Sequence, residues 1–238
     1  MPATTRSNKG ATTLAKKKKQ NEKAVSTARL EDAPSGAEIT TPTASPNSPV
    51  YFWRETETKT GWLSQWYPCA FTDEEGIHYE TAEHYMMYQK AVLFSDPAVG
   101  AQILAASHPR QVKALGRKVK GFDYRIWNGQ REDIVRKGTL LKFTRAVSEE
   151  GLRLGSTAEA PLVTPLTLRQ LLLSTGDREI VEASPMDKIW GIGFGTAEAD
   201  RSRGRWGLNL LGKALMRVRD DFKREDEQGE KQGEEIGT

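Results

Sequence analysis

Carboxylates set among tryptophans are the chemistry-bearing residues of this chain. Glu83 stands in "YETAEHYMMYQKA" (79–91) and Asp187 in "VEASPMDKIWGIG" (181–193), with Trp127, Trp190 and Trp206 spread across the same region. Cleaving a glycosidic bond builds oxocarbenium character on the sugar. Carboxylates serve that step by stabilising the cation, activating water or protonating the leaving group. Where the leaving group is a heterocycle held through nitrogen, an aromatic wall that stacks it adds about 1–3 kcal/mol of orientation. The same residues also have plain structural uses. Glu83 follows Thr81, an expected N-cap, where a carboxylate favours the helix dipole by about 0.3–1 kcal/mol. Ser184 to Asp187 reads as a variant capping box with Pro185 at the first helical position, and large indoles fill cores.

Other chemistries are pruned by absence. The chain has no P-loop, no GxSxG elbow and no CxxC pair. "GIGFG" (191–195) is glycine-rich but lacks GxGxxG spacing and its strand–helix setting, so dinucleotide binding is not expected. His78, His84 and His108 are too scattered for an ordinary metal cage and lack HExxH spacing with Glu83, so no metal is expected. Cys69 is the single cysteine, which rules out an intramolecular disulfide and suits a reducing compartment. No apolar run approaches the roughly 18 residues that span a bilayer, and no membrane association is expected. Without an apolar h-region, secretion is not expected either. The expectation is cytoplasm, with the nucleus second through the run Lys16-Lys17-Lys18-Lys19.

The elements that must position these residues lie in the middle of the chain. Residues 1–49 are rich in Ala, Thr, Ser, Pro and Lys, carry eight Lys/Arg against four Asp/Glu, and lack the apolar mass to offset ordering entropy. They read as a disordered extension. Residues 223–238 carry three Lys/Arg against six Asp/Glu and read as an acidic flexible tail. The remaining 50–222 is nearly balanced in charge, so the basic pI does not by itself point to nucleic acid. Within it, "VYFWRET" (50–56) suits a strand and "GWLSQWYPCAF" (61–71) an irregular aromatic segment. Helices are expected from Thr81 to about Leu93, after Asp96-Pro97, and from Ser107 or Pro109 to about Gly116. Further helices are expected over Arg131 to Val147, Leu166 to Leu173 and from Leu208 to Phe222, with a strand at "EIVEA" (179–183). The sum is one mainly α domain with a small β component.

In their order, "LSQWYPCAF" (63–71), "YETAEHYMMYQKA", "ALGRKVKGF" (114–122), Trp127-x-x-x-Arg131, "KGTLLKF" (137–143), "STGDREIVEASPMDKIWGIG" (174–193) and "WGLNLLGKALMRVR" (206–219) resemble the YbiA-like (NADAR) family of N-glycosidases. The resemblance implies a helical fold and hydrolysis of the C–N bond between a sugar phosphate and a nitrogenous group, without metal or organic cofactor. Riboflavin-pathway members act on phosphorylated ribosylaminopyrimidine intermediates. Others act on ADP-ribosylated guanine, including that in nucleic acid. A module that binds ADP-ribose or a nucleotide without cleaving it is the reading from a different class, and two retained acids argue against it. By the resemblance, Glu83 is base or cation stabiliser, Asp187 orients water or the ribose hydroxyls, and Trp127 is the stacking wall. Lys90 meets the substrate phosphate or pairs with an acid, and Trp190 and Asn209 line the pocket. No stable protein partner is implied. Gln65 stands where the family commonly has asparagine, and 148–165 reads as a lid or an insertion.

Overall fold

The computed structural model describes residues 47–147 and 167–236 of the chain. The expected 1–49 extension, apart from its last three residues, and the segment from 148 to 165 lie outside the described residues. Among the described residues the elements run β1 (Val50–Phe52), a 3-10 turn (Gly61–Leu63), β2 (Phe71–Thr72), β3 (His78–Tyr79), α1 (Ala82–Leu93), α2 (Pro97–Leu104) and α3 (Pro109–Gly116). They continue with α4 (Tyr124–Thr144), α5 (Leu168–Ser174), β4 (Ile180–Glu182), α6 (Thr196–Ala199), a second 3-10 turn (Asp200–Arg205) and α7 (Leu210–Ile236). The fold is mainly helical with a small β component, as its sequence suggests.

Local chemistry sets most helix starts. Asp96 accepts from Val99 N at 3.2 Å ahead of Pro97, and His108 Nδ1 accepts from Arg110 N at 3.1 Å ahead of Pro109. Thr167 and Gln170 form a full capping box on α5. Helix α4 begins well before Arg131, where its apolar period becomes visible. Asp123 starts it by accepting from Arg125 N and Ile126 N at 2.7 and 2.9 Å, and Tyr124 and Ile126 in its first turn stay exposed. Helix α7 likewise continues past Lys223, where the sequence suggests a tail, to Ile236. Its extension is rich in good helix formers. Lys223 reaches Gly176 O at 3.0 Å and Asp177 at 2.6 Å, and Arg169 holds Asp226 at 2.8 Å.

Helix α1 is the centre of the packing. It touches α2, α3 and α4, while α7 packs on α4, α5 and β4. Its first turns are buried on every side, so this helix shows little amphipathic contrast. Gly138 lets α4 approach it: a Cβ there would stand 2.5 Å from the Tyr85 ring. Strand β1 pairs in parallel with β4, Phe52 opposite Glu182, and β2 pairs antiparallel with β3.

Gly212 brings the first turn of α7 against β4, where a Cβ would lie 2.1 Å from the Ile180 carbonyl oxygen. Alanine normally gains about 1 kcal/mol over glycine inside a helix. Here the obstacle is backbone, and overpacking of this kind costs about 1–3 kcal/mol. Gly212→Ala is therefore expected to lower the unfolding free energy, read as a lower urea midpoint at unchanged slope. A raised midpoint would show that the contact relaxes freely.

Candidate active site

A cavity of about 530 Å³ lies between the start of α1, the loops after β1 and after Leu63, the face of α3 and the segment that follows β4. Glu83, Glu182, Asp187, Trp66 and Trp190 line it, with Arg54, Arg110 and Lys113.

Glu83 reaches the cavity from the first turn of α1. Its backbone N–H donates to Gln65 O at 3.0 Å, which ties the helix start to the aromatic loop. Thr81 is the N-cap, but its hydroxyl does not cap α1. It hydrogen-bonds His84 Nδ1 at 2.8 Å, while His84 Nε2 donates to Ala106 O at 2.9 Å. His84 is thus a core histidine, and burial lowers its pKa. Glu83 is 6 % exposed. Burial pushes its pKa up to about 7; Lys113, a hydrogen bond from Trp66 and Arg117 pull it down, and Asp187 pushes it up.

Glu182, at the end of β4, is a third acid in the cavity. Burial pushes its pKa up to about 8; Asp187 and Glu83 add to the rise and Lys113 opposes it. Its Oε2 is buried and, among the described residues, accepts no hydrogen bond; the same holds for Gln65 Oε1. The signal in the sequence is an acid in a strand between Val181 and Ala183, both at most 1 % exposed, since acids are seldom found on core strands without a use. Asn209 holds this strand. Its Oδ1 accepts from Glu182 N and its Nδ2 donates to Ile180 O, both at 3.0 Å.

Asp187 lies in a turn, and no helix opens after Pro185. The capping box suggested by the spacing is replaced by an Asx-type cap: Oδ1 accepts from Ile189 N and Trp190 N, both at 2.8 Å. The loop is then stitched to the start of α7, with Leu208 N donating to Lys188 O and Leu211 N to Trp190 O. On the opposite side, Lys142 fixes the aromatic loop. Its ammonium is buried and donates to Trp62 O at 2.6 Å and Ser64 O at 2.9 Å.

The structure thus brings Glu83, Asp187 and Trp190 to one cavity, while Trp127, Lys90, Asn209 and Trp206 are not among its lining residues. Trp127 is buried in the main apolar cluster. Lys90 donates to Gly116 O at 2.8 Å, closing the end of α3, and its ammonium stands over the Phe122 and Trp127 rings. Trp206 packs edge-on to Tyr51 and donates to Ala199 O at 2.8 Å. The glycine-rich "GIGFG" packs along β4, Ile192 N donating to Glu182 O at 3.0 Å. None of the described helices is long and apolar enough to cross a membrane.

Comparison with known proteins follows the same frame. The NADAR domain family model matches residues 51–223, and the chain belongs to that family. It is 39 % identical over 165 residues to N-glycosidase R617 of Acanthamoeba polyphaga mimivirus, covering 67 % of this chain and 86 % of that one. It is 30 % identical over 174 residues to riboflavin biosynthesis protein VVA0006 of Vibrio vulnificus, a match to 73 % of this chain but 38 % of that longer one. The NMR structure of YbiA from E. coli superposes with a TM-score of 0.55 at 26 % identity, covering 76 % of this chain and 88 % of the other.

The two raised carboxyls have a consequence for stability. Between pH 4.5 and about 7 to 8 the folded protein holds protons that the unfolded chain has released. Their contribution to stability is whole below pH 4.5 and is lost as the pH rises through those values. At about 1.4 kcal/mol per pKa unit, the loss is on the order of a few kcal/mol for each group. Urea midpoints of the wild type are expected to fall between about pH 5 and about pH 8.5, and those of Glu182→Gln, neutral throughout, to fall less. Parallel curves would mean that Glu182 is ionised in the folded protein at all these pH values.

Proposed function

We propose that the protein is an N-glycosidase that hydrolyses the C1′–N bond of a phosphorylated ribosylaminopyrimidine, releasing ribose 5-phosphate and the free aminopyrimidine. One observation carries the reading: two buried carboxyls in one cavity, Glu83 near the neutral range and Glu182 above it, beside aromatic walls. Membership of a family with relatives named as N-glycosidases and riboflavin biosynthesis proteins supports it.

Glu182, largely protonated at neutral pH, donates its proton to the leaving nitrogen. The C1′–N bond breaks with its electron pair passing to that nitrogen. Glu83, favoured as the anion by Lys113 and by the Trp66 hydrogen bond, stabilises the oxocarbenium ion. It then takes a proton from the water that adds to C1′. Asp187, fixed by its two backbone bonds, orients that water or the ribose hydroxyls. Trp190 is the stacking wall in this reading. Trp127 acts through the packing beneath the site.

The excess of Lys and Arg in residues 1–49 favours a second reading, hydrolysis of ADP-ribosylated guanine in nucleic acid with the basic segment aiding capture. In that case deleting 1–49 weakens activity on polynucleotides in a salt-dependent way and leaves small ribosides untouched.

The decisive assay follows release of ribose 5-phosphate from the ribosylaminopyrimidine phosphate. Glu83→Gln and Glu182→Gln are each expected to lower kcat/KM about 100-fold or more, the size of a lost acid or base. The wild-type profile should be a bell bounded near pH 7 and pH 8, apparent values belonging to the pair. The alkaline limb should vanish in Glu182→Gln. Folded wild type that leaves this compound intact while releasing guanine from its ADP-ribosylated form would replace the first reading by the second.

A further inference from the structure

Three cations line the cavity together with the acids Glu55, Glu83, Glu182 and Asp187. Arg54, Arg110 and Lys113 all line it, and among the described residues none of the three forms an ion pair. Two of them are propped on indole faces instead. The Arg54 guanidinium stands 4.3 Å from the Trp53 ring centre, and the Lys113 ammonium 5.9 Å from that of Trp66. Arg110 lies three residues before Lys113 on α3, so both project from one helix face. Cation–π contacts of this kind hold a cationic head in place without neutralising it. Glu182, shifted toward its protonated form, does not neutralise it either.

Two other groups in the cavity have the opposite need. Gln65 Oε1 and Glu182 Oε2 are buried acceptors with no donor among the described residues. A ligand that meets both needs offers hydroxyl or amine groups to Gln65 and Glu182 and negative charge to the three cations. Resting on the reading of the site as one for a phosphorylated N-riboside, we infer that Arg54, Arg110 and Lys113 form the subsite for the terminal phosphomonoester, with the ribosylamine facing Gln65 and Glu182. Arginine supplies paired N–H donors to phosphate oxygens, and lysine adds a point charge beside the carboxyls. Lys90 has no place in this subsite, since it is not among the residues that line the cavity.

The test reads binding without turnover. Titration calorimetry on the full chain compares ribose 5-phosphate, ribose and ADP-ribose, using wild type, the double variant Arg110→Gln/Lys113→Met, Arg54→Gln and Lys113→Arg. Arg54, Arg110 and Lys113 are exposed, and thermal melts confirm that each variant is folded. Wild type is expected to bind ribose 5-phosphate about ten- to a hundredfold tighter than ribose, the scale of one or two charge-assisted hydrogen bonds. The double variant should lose that preference with ribose affinity unchanged, Arg54→Gln should lose part of it, and Lys113→Arg should keep it. A preference that is absent from wild type, or that survives the double substitution, overturns the assignment. So does ADP-ribose binding that depends on Arg110 and Lys113 while ribose 5-phosphate does not bind. Absence of the preference from a wild type that hydrolyses the N-riboside would overturn this subsite alone. An intact preference in a protein that hydrolyses no N-riboside would overturn the N-glycosidase reading alone.

Discussion

Glu182 ends a strand of three residues, and the candidate site depends on that strand staying where it is. A carboxyl that is desolvated enough to hold its proton near pH 8 gains nothing from water, so its backbone must be held by other means. Strand β1 takes one edge of β4, with Ala183 N donating to Phe52 O at 2.7 Å. Among the described residues the other edge has no strand. The Asn209 carboxamide occupies it, accepting from Glu182 N and donating to Ile180 O as a neighbouring strand would. Asn209 does this from φ 50°, a left-handed backbone that asparagine tolerates better than most residues. Gly212 then lets the first turn of α7 close on the same strand.

The facing wall solves a similar problem with a cation. Lys142 is 2 % exposed, and burial lowers its pKa to about 8. An ammonium in the interior is destabilising unless its donors are used. Here they hold the carbonyls of Trp62 and Ser64, with the Tyr67 and Phe143 rings each 5.4 Å away. Those carbonyls belong to the loop that presents Gln65 and Trp66 to Glu83. A methylene chain of the same length would fill the space and leave the loop unbonded. The charge is therefore explained by position, since it fixes a loop that has no regular secondary structure beyond one 3-10 turn.

The parts of this arrangement that follow local rules were legible in the sequence. Caps and prolines mark α2 and α3, the leucine period marks α7, and the pairing of carboxylates with tryptophans marks Glu83, Asp187 and Trp190. What was not legible depends on contacts between distant residues. Asp123 starts α4 under a polar, exposed first turn that has no apolar period. The continuation of α7 beyond Lys223 rests on partners at Asp177 and Arg169, some 46 and 57 residues from their mates. Glu182 reads as one more residue of a short strand until β1 and Asn209 show which way that strand is pinned. Lys90 and Trp127 lie in matching stretches yet meet each other and Gly116 O away from the cavity, because helix spacing fixes a face without fixing what that face meets.

Desolvation and charge then act together. Burial alone would leave both Glu83 and Glu182 protonated at neutral pH, and two protonated acids cannot share the work of proton donation and cation stabilisation. Lys113 lowers both, but Glu83 also receives the Trp66 hydrogen bond and the field of Arg117, which Glu182 lacks. Asp187 raises both and ranks higher among the influences on Glu182. The asymmetry of these neighbours separates two chemically identical carboxyls. It also bears on the unpaired cations: a lysine that paired with Glu182 would erase the difference, whereas one held over an indole face acts on both acids.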